Sequence, residues 1–83
     1  LTREQAAVII KKTADMLGIS GKTEQLKFTD KKRISSWAAD AVKFVSANGI
    51  MNGTDGFFNP DAFINTEQAV AGVNRLFKLS LNK

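Results

Sequence analysis

No helix can run through Met51 to Phe63, and this constrains the chain more than any other feature. Gly53, Gly56 and Pro60 punctuate the span, and Thr54-Asp55-Gly56 carries turn chemistry. Helical patterns abut it on both sides. Upstream, Trp37, Ala38, Ala41, Val42, Phe44 and Val45 form the wide apolar face of a helix from about Ser36 to Asn48. Ser35 or Ser36 is its expected cap, and Gly49-Ile50 its stop. Downstream, Asn65 caps a helix from Ile64 to about Leu79, with Gln68 three residues on and Ile64 stapling to Ala69. Val70, Val73, Leu76 and Phe77 supply its stripe, and Arg75 and Lys78 lie near the end where the helix dipole favours cations. Phe57-Phe58 and Phe63-Ile64 are candidates for very short strands paired with each other.

A third helix precedes this helix–loop–helix. Thr2 and Gln5 form a capping box, and Leu1 is placed to staple to Ala6. The spacing of Ala6, Ile9, Ile10, Thr13 and Leu17 predicts the buried stripe, with Arg3, Lys11, Lys12 and Asp15 facing water. Gly18-Ile19 ends the helix in the same way as Gly49-Ile50. Ser20 to Lys27 is polar and reads as a loop. Phe28-Thr29-Asp30 then leads into the basic run Lys31-Lys32-Arg33, which reads as a solvated loop. The expectation is an all-α fold of three main helices, with a long loop holding at most a minimal β-hairpin.

Inventory removes several chemistries. With no Cys and no His among 83 residues, disulfides, thiol catalysis, Cys/His zinc sites and Ser-His-Asp triads are excluded. Six phenylalanines and one tryptophan give a thin core its bulk. Twelve basic against eight acidic residues, a net charge of +4, bias the chain toward anionic partners without choosing among them. No apolar run approaches the ~20 residues of a membrane span, so no membrane insertion is expected. No signal-peptide pattern is present. The chain opens on Leu1 without an initiator Met and reads as a fragment, so missing targeting signals say nothing of destination.

Two openings match in register: Leu1-Thr2-Arg3-Glu4-Gln5-Ala6 and Ile64-Asn65-Thr66-Glu67-Gln68-Ala69. This is an internal repeat with a period of sixty-odd residues. Phe28-Thr29-Asp30, Trp37-Ala38, Gly49-Ile50-Met51-Asn52-Gly53, Phe58-Asn59-Pro60 and these openings, in this order, resemble the S-layer homology (SLH) family. The resemblance covers nearly the whole chain apart from Ser20–Lys27. It implies the closing helix of one repeat at residues 1–20, a linker at 21–27, a complete repeat at 28–79 and a tail at 80–83. It further implies a cofactor-free, non-enzymatic anchor that holds an exported bacterial protein to the cell wall or S-layer. The partner would be secondary cell-wall polysaccharide, often carrying pyruvylated amino sugars, bound in grooves between sibling repeats arranged as a pseudo-threefold bundle. In the family's Thr-Arg-x-Glu opening the arginine faces such a groove. Thr2-Arg3 meets that pattern, but Gln5 and Gln68 replace its Glu, and Asn65-Thr66 replaces Thr-Arg. The second opening therefore keeps its cap and lacks the anion-contacting arginine.

Five residues are candidate glycan contacts. Arg3 suits a carboxylate or pyruvyl ketal, gripped by two parallel hydrogen bonds at a helix start whose free N–H groups favour anions; its alternative is a solvent-exposed arginine. Trp37 offers an indole face to a sugar ring, or else core packing. Gly53 permits close backbone approach, although turn geometry alone accounts for it. Asp30 and Asp55 can accept from sugar hydroxyls, or make local Asx turns. These carboxylates lie far apart on unrelated loops and form no glycosidase pair, and no residue set is placed for catalysis or for metal binding. The Asn/Asp/Gly loop also lacks the alternating oxygen ligands of a calcium site. Gly21-Lys22-Thr23 ends like a phosphate loop, but Met16 stands where the earlier glycine is required.

The runner-up reading is a helix-turn-helix-like DNA-binding domain centred on Ala14 to Ser20. It requires a recognition helix within Gly21 to Asp30, which has no amphipathic stripe. DNA is accordingly not the expected partner. The cut through a repeat also predicts self-association, by exchange of the first helix between copies.

Overall fold

A computed structural model describes residues 1–81. Its elements are α1 (Arg3–Leu17), a 3₁₀ turn (Lys31–Arg33), α2 (Ala39–Ala47) and α3 (Thr66–Leu81). The protein is all-α. Among the described residues its β pairing amounts to two isolated bridges, Thr2 with Phe63 and Thr54 with Phe57. Phe63 thus pairs with the start of α1 and not with Phe57-Phe58: Ile64 N–H donates to Leu1 O, and Arg3 N–H to Ala62 O. Thr54 and Phe57 exchange both backbone hydrogen bonds around Asp55-Gly56, whose φ angles are 52° and 84°. Two positive φ values in a two-residue loop make a type I′ hairpin turn, the geometry that Asp-Gly favours.

Both capping boxes form. Gln5 N–H donates to Thr2 Oγ1 while Thr2 N–H donates to Gln5 Oε1, and Asn65 and Gln68 repeat the exchange. Both Gly-Ile stops form as well. Gly18 and Gly49 are left-handed at φ 70° and 66°, and Ile19 and Ile50 donate to the carbonyls of Ala14 and Val45. Each isoleucine is then buried.

α2 starts later than the sequence suggested. Ser35 to Ala38 forms a separate tight turn, with Ala38 N–H donating to Ser35 O, and no side chain caps α2. The Ser35 hydroxyl is engaged elsewhere, donating to Glu4 at 2.8 Å. The stripe on α1 is also rotated from expectation. Ala6, Ala7, Ile10 and Ala14 are buried with Glu4, whereas Ile9 and Leu17 are exposed. α1 packs chiefly on α2 and also touches α3. Ala41, Val42, Phe44 and Val45 of α2, Ile50 and Phe58 of the loop, and Leu76 of α3 complete the core. α3 runs through Ser80 and Leu81, so the first half of the expected tail is helical; Asn82 and Lys83 lie outside the described residues.

Ser20 to Lys27 has no regular structure, as expected of a loop. It is nonetheless tied down. Lys22 N–H donates to Asn48 Oδ1 at 2.9 Å, and Asn48 Nδ2 returns a bond to Lys22 O at 2.8 Å. Gly21 lies so close to this amide that a Cβ there would meet Asn48 Oδ1 at 2.6 Å. The segment that the DNA reading would need as a helix, Gly21 to Asp30, contains none, and its Lys22 is bonded to Asn48 at the end of α2.

Candidate functional site

A cleft of about 280 Å³ opens where the start of α1, the loop after α2 and one face of α3 meet. That is near the lower bound for small-molecule sites. Arg3, Asn52, Thr54, Ile64, Gln68 and Arg75 line it with Ile50, Met51 and Ala71. No carboxylate is in that lining.

Arg3 is held by the loop it faces. Its Nε donates to Phe58 O at 2.8 Å, one terminal nitrogen donates to Asn52 O at 2.7 Å, and the guanidinium stacks 5.0 Å from the Phe58 ring centre. Two of the five N–H donors of a guanidinium are thereby engaged, which fixes its plane and leaves three. Burial lowers the Arg3 pKa from its ordinary value, and the group remains a cation at neutral pH. Arg75 enters the same cleft from α3 and donates to Ile50 O at 3.1 Å. Sequence patterning assigned Arg75 only to the helix dipole. Its place in the cleft depends on a long-range approach of α3 to the loop, for which local spacing carries no signal.

The start of α1 is not itself an anion site. The N–H groups of Thr2, Arg3, Glu4 and Gln5 donate to Gln5 Oε1, Ala62 O, Pro60 O and Thr2 Oγ1. All the donors that would otherwise greet an anion have protein acceptors. The positive charge of the cleft comes from the Arg3 and Arg75 guanidinium groups.

The other candidates separate. Gly53 stands between the lining residues Asn52 and Thr54, and a Cβ there would meet a Phe28 ring carbon at 2.5 Å and Phe57 O at 2.6 Å. Its missing side chain is thus required by packing. Asp55 occupies the exposed first position of the hairpin turn. Asp30 is only 9% exposed, and both its oxygens accept backbone hydrogen bonds at 2.9 Å, from Phe58 and Asn59. Burial would raise its pKa, but these N–H groups, its own N–H and the Arg33 charge outweigh that and lower it. Asp30 thereby fixes the loop segment whose Phe58 carbonyl holds Arg3. Trp37 is 62% exposed and borders a separate, shallow depression with Leu1, Gln5, Val8, Ile9 and Lys12. Core packing is not its role.

The fold and site define a small helical module: two capped helix openings, two Gly-Ile stops, a hairpin turn and a cleft lined by two arginines. The chain belongs to the S-layer homology domain family, whose model matches residues 27–70. Members of that family are cell-surface anchoring modules and not enzymes. No curated protein and no solved structure matches the chain. Among the described residues no helix is long and apolar enough to cross a membrane, and no acidic cluster is placed to hold a metal ion.

Proposed function

We propose that the chain anchors its parent protein to the cell wall by gripping an acidic secondary polysaccharide between Arg3 and Arg75. The single observation that carries this is one cleft holding two arginines and lined by no carboxylate. A pyruvyl ketal presents a carboxylate on a compact sugar, and a half-buried guanidinium strengthens each charge-assisted bond to it. Asn52, Thr54 and Gln68 supply polar atoms for the hydroxyls around it. Asp30 acts by positioning the loop, Gly53 by letting it fold closely, and Asp55 sits at its rim. Trp37 belongs to the second depression.

That second depression supports the division into repeats. Moving Thr2 onto Asn65 takes Leu1, Gln5, Val8 and Lys12 onto Ile64, Gln68, Ala71 and Arg75, which are the α3 half of the arginine cleft. α1 then closes one unit, residues 28–79 form the next, and sibling units complete each other's clefts. The surface would be extracellular, at the wall or S-layer.

The test is retention on purified cell-wall sacculi with and without their polysaccharide, beside a DNA titration. Arg3→Lys and Arg75→Gln should each reduce polysaccharide-dependent retention by about tenfold or more, the loss of a charge-assisted contact. Unchanged retention in both variants, with helicity intact, refutes the reading. Salt-sensitive DNA affinity without wall retention would replace it.

A further inference from the structure

α1 and α3 are copies that bury different faces. In the register that takes Thr2 onto Asn65, the α1 residues Ala7, Ile10 and Ala14 fall on Val70, Val73 and Phe77. The α1 set is buried, with Ala7 and Ala14 at 0% exposure, whereas Val70 is 53% and Phe77 46% exposed. Conversely, the α3 residues Gly72 and Leu76 are buried, and Ile9, the counterpart of Gly72, is exposed. Each closing helix thus has one face for its own unit and another for the unit that follows. α1 shows the second face filled, by α2 and the turn before it; α3 shows it bare.

The polar groups repeat the pattern. Glu4 is buried and accepts from Ser35 N–H at 3.2 Å and Ser35 Oγ at 2.8 Å, while its counterpart Glu67 is exposed with no partner among the described residues. Arg3 and Glu4 donate their backbone N–H groups to the Ala62 and Pro60 carbonyls, whereas Thr66 and Glu67 find no acceptor among the described residues. Apolar stripe, carboxylate and two amides are all in register for one kind of occupant.

We infer that α3 docks a further unit of the same architecture as residues 28–64, but one whose α2-like helix carries less bulk than α2 of this chain. Resting on the repeat reading above, this adds a selection rule to it. On α1, positions 7 and 14 are alanines with no exposed surface, and α3 brings valine and phenylalanine to those places. Inserting them against Ala41, Val42, Phe44 and Val45 would overpack the contact. The same bulk disfavours α3 of one copy in the place of α1 of another. The pairing is ordered, and a second copy of this unit is the wrong neighbour.

The test joins residues 1–80 to a second copy of residues 18–83, so that α3 takes the place of α1 before the second unit. A parallel fusion carries Val70→Ala and Phe77→Ala in its first copy. Both sites are exposed in the single chain, so the single-chain variant should keep its helicity. Amide exchange at Thr66 and Glu67 of the first copy reports docking. In the substituted fusion these amides should exchange about tenfold or more slowly than in the single chain, and in the unsubstituted fusion at about the single-chain rate. Equal protection in both fusions overturns the selection by bulk, and protection in neither overturns the docking face. No glycan enters this measurement, so a failure of wall binding would leave its result standing.

Discussion

Replacing Asp30 by alanine tests how the arginine cleft is held open. Its carboxylate accepts the Phe58 and Asn59 N–H groups, both at 2.9 Å, in a residue nearly excluded from solvent. Phe58 is fully buried, so its N–H in the variant finds no water; Asn59 is exposed, and its N–H can be resolvated. The cost is therefore that of one stranded donor, about 1–3 kcal/mol, plus the lost charge assistance on the second bond, for a total near 2–4 kcal/mol. A domain of this size holds roughly 4–12 kcal/mol in all, so the variant should remain folded at 25 °C with a much lower urea midpoint. Asp30→Asn keeps one acceptor and should lose about half as much.

The pH dependence gives an independent check. The folded pKa of Asp30 is lowered, so its contribution is complete above the unfolded carboxylate value and declines as pH falls through the lower, folded one. The gap between wild type and Asp30→Ala should stay constant from about pH 5 to 8 and narrow below about pH 4. Urea titrations across this range, read by circular dichroism with unchanged slope, measure both quantities. A gap under about 0.5 kcal/mol at neutral pH, the ordinary effect of a surface change, would refute the account of Asp30 as a buried acceptor.

Glu4→Ala should cost about 1–3 kcal/mol by stranding the Ser35 N–H beneath α1, with Glu4→Gln milder, as read by the urea midpoint. Gly56→Ala places a Cβ at φ 84° with nothing closer than Thr29 Oγ1 at 3.5 Å, so only backbone strain opposes it. About 1–2 kcal/mol is expected, visible as a fall in Tm of several degrees.

Local signals fixed what was legible beforehand. The capping boxes at Thr2 and Asn65, the stops at Gly18 and Gly49, and the turn at Asp55-Gly56 each depend on neighbours within a few residues, and each formed. The errors lie where tertiary contacts choose among local options. Ile9 and Leu17 share a helical face with Ala6, yet the face that packs in the structure carries Ala7, Ile10 and Ala14 and leaves Ile9 and Leu17 exposed. Ser35 has the composition of a cap, but Glu4 takes its hydroxyl from across the fold. Asp30 read as a sugar-hydroxyl acceptor or a local Asx turn because nothing nearby reveals that Phe58 and Asn59 will need an acceptor. Arg75 entered the cleft for the same long-range reason, while Arg3 was found through its motif and not through its geometry.

The two helix openings show how one local structure can serve two chemistries. A bare helix start attracts anions through its N–H groups, which any sequence provides, so such a site would select poorly among anionic glycans. Here α1 has closed that route by donating those groups to the preceding loop and to its own capping box. Under the proposed function recognition passes to Arg3, whose plane is set by Phe58 and Asn52, and selectivity would then follow from a side chain that can be retained or deleted from one opening to the next. At α3 the capping box is kept and Thr66 stands in the arginine position, so the opening keeps its cap and lacks the guanidinium. Thr66→Arg should therefore leave stability within about 0.5 kcal/mol, because the site is exposed and its cap is made by Asn65. It should not raise glycan retention in the single chain, since the carbonyls that orient Arg3 have no counterpart beside α3. A gain in retention from that substitution alone would show that a guanidinium at a helix start suffices, and that the loop's grip on Arg3 is incidental.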